Sequence, residues 1–195
     1  MISLKAFGPV LAETLGTTPA AIYERQRALV RQGLLPAPVG RGRGNGLPAS
    51  AGTVAMIIVA MMVTDNLSDT DDRVRRVASA EYLGRRWKRG RAKPRCALTG
   101  KRDFKSALIA LLRMTEFPAR VRILVSRNYL YSVIWWADSV KERIYESQFG
   151  EFGAASNLTV TACLEDGALQ SIATALRQAS DERSNWPDPM QGDLL

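Results

Sequence analysis

The residue types available for chemistry in this chain are narrowed at once by the absence of histidine. That absence removes Ser-His-Asp triads, Cys-His dyads and His-ligated zinc together. Two cysteines, Cys96 and Cys163, form no CxxC pair and cannot supply four metal ligands. Isolated cysteines of this kind are expected to be reduced thiols. The carboxylate pairs Asp71-Asp72 and Glu165-Asp166 fall where helix starts and turns favour acids, which accounts for them structurally. The run Arg41-Gly42-Arg43-Gly44-Asn45-Gly46 lacks the closing Gly-Lys-Ser/Thr of a phosphate-binding P-loop. None of the constellations that mark catalysis is present, so the chain reads as a non-enzyme with no metal and no cofactor.

What remains is positive charge. The chain of 195 residues has a net charge of +8 and 46% apolar residues. Its apolar content is that of a folded protein, and its length suits one domain or two small ones. Residues 1–50 carry six Lys/Arg against two Asp/Glu, whereas residues 151–195 carry two against seven. The basic part would attract an anionic partner, and the acidic end would repel one. A second basic cluster, with Arg85, Arg86, Lys88, Arg89 and Arg91 around Trp87, could grip phosphates or simply be a solvated helix end. Trp135-Trp136 falls in a strand-like stretch and is expected to pack rather than stack on bases.

The elements that must position these residues follow from periodicity and punctuation. Phe7, Val10, Leu11 and Leu15 recur at helical spacing over residues 2–15, with Gly8-Pro9 suggesting a start near Pro9. Thr18 and Pro19 suit the N-cap and first position of a second helix that runs to about Gln32, where Gly33 stops it. Ser50 caps a third helix, Ala51–Val63, apolar nearly all round and so destined for a core or a subunit seam. At 13 residues it is shorter than the roughly 20 a bilayer requires. With no leader-like segment at the N-terminus, a cytoplasmic protein without membrane contact is expected. Ser68 and the acids Asp69, Asp71 and Asp72 open a fourth helix expected to reach Arg86. Residues 89–100 read as a linker, and Phe104, Leu108, Leu111 and Leu112 mark a fifth helix over about 101–114.

Beyond this helix the period changes. Val121, Ile123 and Val125 alternate, Tyr129–Ala137 and Val140–Gln148 are aromatic and β-branched, and Leu158–Leu164 alternates again. These predict four strands, antiparallel, followed by a helix over 167–179 with Leu169, Ile172, Ala173 and Leu176 inward. The fold class is α+β: residues 1–92 form a helical domain, 93–180 an α+β domain for dimerisation or partner binding, and 181–195 an acidic tail expected to be disordered.

The segment from Leu11 to Ile22 resembles a helix-turn-helix. Ala12 allows close crossing of the helices, Gly16 takes the positive φ of the turn, and Ile22 packs the second helix back. The stretch from Arg27 to Pro36, with Arg27, Leu29 and Gly33-Leu34-Leu35, resembles the end of the recognition helix in MarR-like and MerR-like winged-helix regulators, although Gln26 stands where a core leucine is usual. The resemblance implies that Gly33-Leu34-Leu35 leads into a wing strand, with Arg41 and Arg43 at the wing tip on the phosphate backbone or in the minor groove. It also implies that Thr18 and the helix N-terminus hold a phosphate, and that Ala20, Tyr23, Glu24 and Arg27 face the major groove, with Arg31 beside them. The expected function is a DNA-binding transcription regulator, pairing as a homodimer on double-stranded DNA. Two alternatives stay open: a phage-type DNA-packaging or assembly adaptor, and a protein-binding inhibitor module.

Overall fold

The computed structural model describes residues 2–37, 46–65, 70–84, 93–138, 143–150 and 159–181. Within them the order is α1 (Leu4–Thr14), α2 (Pro19–Arg31), α3 (Ala51–Val63), α4 (Thr70–Ala78), α5 (Phe104–Leu112), β1 (Arg120–Ser126), β2 (Ser132–Ala137), β3 (Ile144–Phe149), β4 (Thr161–Leu164) and α6 (Asp166–Asp181). The expected α+β class and four antiparallel strands are both present. The strands form one sheet in the order β3-β2-β1-β4.

α3 is the centre of the molecule. Ten of its 13 residues are buried, and α2, α4, α5, β1 and β4 all pack on it. Its apolar surface is therefore consumed inside its own chain, leaving only the half-buried Ala51, Gly52 and Met61 for the subunit seam that the sequence allowed. Each end of the helix is closed by specific polar contacts. At the start, Ser50 and Thr53 form a reciprocal capping box, and the Thr53 hydroxyl also donates to the Pro48 carbonyl at 2.6 Å. At the end, the Arg127 guanidinium donates to the Met62 carbonyl at 2.9 Å and grips both oxygens of Asp65. The last carbonyls of a helix have no partner within it, so a cation placed there satisfies both their hydrogen bonds and the helix dipole.

The sheet lies with one face on the helices. Cross-strand pairing puts Ile123, Ile134, Ser147 and Leu164 in one row, and Val125, Ser132 and Phe149 in the next. All seven are buried. Phe149 joins the sheet to α5 by a tilted ring contact with Phe104, centroids 5.6 Å apart. Trp136 is also buried on this face and stacks on Tyr145, the packing role expected of it. The core is continuous through the chain, running from Leu4 and Phe7 of α1 through α3 and Cys96 to Ile172 of α6.

Several expected boundaries shift for local reasons. α1 starts at Leu4 rather than near Pro9, because Ser3 caps it by accepting from the Ala6 amide and because Leu4 and Phe7 are buried. Pro9 is carried inside the helix. α4 stops at Ala78 instead of reaching Arg86. Its continuation turns extended: Glu81 pairs with Asp103 and Tyr82 with Phe149, and the Leu83 amide donates to the Gln148 carbonyl. Two backbone bridges outweigh helix propensity there. Leu34 and Leu35 do not start a strand; both amides fold back onto the Leu29 carbonyl, at 2.8 and 3.2 Å. α6 continues to Asp181, so Ser180 and Asp181 are helical. The cap at Ser68 and the tail 182–195 lie outside the described residues. Residues 93–100 are tied down rather than linker-like: Cys96 is buried, and Lys93 bonds Glu81 at 2.7 Å.

Two stability predictions follow from these packing details. Gly167 is exposed in the first turn of α6 with ordinary backbone, and a Cβ built on it meets nothing within 4 Å. Gly167→Ala should therefore stabilise the fold by up to about 0.5–1 kcal/mol through helix propensity; a urea midpoint at or below that of the parent would contradict this. Arg127→Ala should cost about 2–3 kcal/mol in the same assay, since charged hydrogen bonds at a partly buried helix end are lost together.

Candidate nucleic-acid interface

α2 presents the candidate residues because its two faces differ in kind. Ile22, Arg25, Ala28 and Leu29 are buried against the body of the protein. Thr18, Ala20, Tyr23, Glu24, Arg27 and Arg31 are all exposed, and from Ala20 onward they follow one another at helical spacing along the opposite stripe. The turn before the helix is set by Gly16, at φ 63°, and Ala12 is buried where the two helices meet. Thr18 caps the helix: its hydroxyl accepts from the Ala21 amide at 3.2 Å and its carbonyl from the Ile22 amide at 3.2 Å. Two of the amides at this end are thus already engaged, which lowers what the helix terminus offers an anion.

The side chains on the stripe are arranged, not merely adjacent. Arg27 stands 5.9 Å from the Tyr23 ring centroid and 3.3 Å from Glu24 Oε1. Both members of the ion pair are about half exposed or more, at 60% and 48%. An exposed pair at this spacing is worth only about 0.3–0.5 kcal/mol. A bidentate arginine–guanine contact is worth about 1–3 kcal/mol of discrimination. Arg27 is therefore held by Glu24 too weakly to prevent such a contact. Held over Tyr23, it is meanwhile kept pointing outward.

The structure adds residues that the sequence reading passed over. A cavity of about 410 Å³ lies beside this stripe; Lys5 of α1 and Gln26 line it together with Arg27 and Arg31, and the returning segment Gly46-Leu47 closes one side. A neighbouring cavity of about 200 Å³ between α1 and α2 shares Lys5, Tyr23 and Gln26. Nothing local in the sequence pairs Lys5 with Arg31, 26 positions later. Arg25 was also missed. It is 6% exposed, and burial lowers its pKa while Asp65 opposes and Arg127 reinforces that shift. Its spacing from Ile22 and Leu29 does place it on the inward stripe, and that was the available signal. Arg41 and Arg43 lie outside the described residues, as do Arg85, Arg86, Lys88, Arg89 and Arg91. The ends of that second basic segment are close together: a Cβ on Gly84 would come within 2.6 Å of the Pro94 side chain.

No family model, curated protein or solved structure matches the chain. The residues themselves therefore carry the functional argument. Among the described residues there is no cluster of three or more potential metal ligands, and no helix long and apolar enough to cross a membrane.

The outer face of the sheet holds the other chemically notable group. Cys163 is a free, exposed thiol on β4. It donates to Glu165 Oε1 at 3.3 Å, and Glu165 in turn meets Arg122 Nε at 2.6 Å. Partial burial, then the hydrogen bond and charge of Glu165, push the thiol up to about 11 against a weaker opposing effect of Arg122. A nucleophilic cysteine needs the reverse. Cys163 should accordingly be alkylated by iodoacetamide at pH 8 at least tenfold more slowly than a small free thiol, with the rate still climbing between pH 9 and 11. Glu165→Gln should bring the reaction forward in pH. A rate with its midpoint near pH 8.5, levelling off by about pH 10, would show the thiol to be unperturbed.

Proposed function

We propose that the chain binds double-stranded DNA, with α1 and α2 acting as a helix-turn-helix and α2 as the reading helix, and that it serves as a transcription regulator. The observation that carries the reading is the split character of α2. One stripe is locked to the body by Ile22, Ala28 and Leu29, and the other offers Tyr23, Glu24, Arg27 and Arg31 to solvent. A helix of 13 residues is about 20 Å long, enough to cross a major groove about 12 Å wide. In that pose Tyr23, Glu24 and Arg27 meet base edges, while Thr18 and Arg31 lie near the two flanking strands.

Charge supports the same assignment. The segment containing α1 and α2 is among the basic parts of the chain, and residues 151–195 are net acidic. The regulator reading expects two copies on one operator, each supplying its α2 to a half-site. Arg41 and Arg43 belong to this reading as backbone or minor-groove contacts.

The test is a salt series of binding to fragments from around its own gene against a scrambled duplex. A preference of about a thousandfold or more that survives rising salt means base readout. Arg27→Ala should then weaken the preferred site by about 5–100-fold and the scrambled duplex hardly at all. Equal, salt-labile binding to both duplexes, unchanged by Arg27→Ala, would overturn the regulator reading in favour of generic attraction to phosphate, as a packaging or assembly protein would show.

A further inference from the structure

We infer that the cavity between Lys5 and Arg31 is a seat for one backbone phosphodiester of duplex DNA, making Lys5 of α1 part of the interface. This rests on the DNA-binding reading and extends it to a second helix. Lys5, Arg27 and Arg31 line one cavity of about 410 Å³ from two different helices. Among the described residues, neither Lys5 nor Arg31 meets a carboxylate; the nearby Glu24 is taken by Arg27. Like charges gathered on one depression repel each other, and an anion entering it relieves that repulsion. The wall is partly apolar, with Leu47 buried and Val30 half-buried, which strengthens charge attraction there relative to open water.

Geometry selects a backbone phosphate over a base. Arg31 lies four residues beyond Arg27, about 6 Å further along the helix axis. With Tyr23 and Arg27 inside a groove about 12 Å wide, that end of α2 stands at the groove wall, where the phosphates run. Lys5 lines the same depression from α1. A lysine presents a point charge without the planar fork that reads a base pair, so its contribution is sequence-independent.

The experiment compares the full chain with Lys5→Gln on the preferred and scrambled duplexes across salt, using duplexes that carry a single uncharged methylphosphonate linkage at successive positions. Lys5 is exposed, and unchanged thermal melting of the variant is the control for folding. Lys5→Gln should weaken both duplexes alike, by about 3–10-fold near 0.15 M salt, and reduce the slope of log K against log salt by about 0.9. At one linkage position the neutral substitution should cost the parent clearly more than it costs Lys5→Gln, in which Arg31 alone still meets that phosphate. Parental affinity and slope in the variant, or the same penalty in both proteins at every linkage, would overturn the phosphate seat while leaving Arg27 readout standing. A parent chain that binds neither duplex would overturn the DNA-binding reading and the seat together.

Discussion

The need to enclose α3 governs the rest of the arrangement. A helix whose large side chains are apolar on every side gains about 1.5–3 kcal/mol for each one fully removed from water, but only if neighbours surround it completely. Ile57, Ile58, Val59 and Ala60 are all without solvent exposure, and at about 100° per residue these four consecutive positions face all round the axis. Two layers cannot achieve that with one contact each. The chain therefore sets α2, α4 and α5 around α3 and brings in the edge of the β1–β4 pair. The polar ends of the helix cannot be hidden the same way. They are met by Ser50 and Thr53 at one end and Arg127 at the other, so the loop after β1 is drawn to the helix terminus.

That closure also positions the candidate interface. α2 is one of the helices wrapped on α3, and its inward stripe determines which stripe is left outside. Arg25 shows how tightly the side is chosen. A charged residue is kept 6% exposed near Asp65 and Arg127, and rotating α2 to release it would bury the Tyr23–Arg27 stripe instead. Arg127 itself spans several elements. It holds the end of α3, bonds Asp65, receives Arg73 of α4 on its carbonyl and donates its amide to Val160. The sheet and the α2 face are thus linked through a small set of charges at one end of α3.

The exposed stripe carries little stabilising energy of its own. Its one ion pair is solvent-exposed and weak, and its aromatic, Tyr23, is 46% exposed. Groups that contribute so little to the fold are free to be exchanged for contacts with a partner. The cations at Lys5 and Arg31 fit the same pattern, since packing does not require charge at either position.

Local chemistry was enough to determine much of this protein from sequence. Thr18 and Ser50 are caps because their side chains reach the amide three residues on, and Gly16 marks a turn because positive φ is cheap only without a Cβ. Leu169, Ile172, Ala173 and Leu176 declare their helix face by spacing, and Val121, Ile123 and Val125 declare their strand by alternation. The stripe Tyr23, Glu24, Arg27 and Arg31 was legible for the same reason. What tertiary structure decided depends on partners far away in the chain. α4 ends at Ala78 because Glu81 and Tyr82 find backbone partners at Asp103 and Phe149. Leu34 and Leu35 turn back instead of entering a strand, a bend seen only once the Leu29 carbonyl is placed. Lys5 joins Arg31 only because α1 lies against α2 and residues 46–47 return beside both. Periodicity reports which side of an element is apolar; it carries no information on which distant element will cover that side, or which cations the covering brings together.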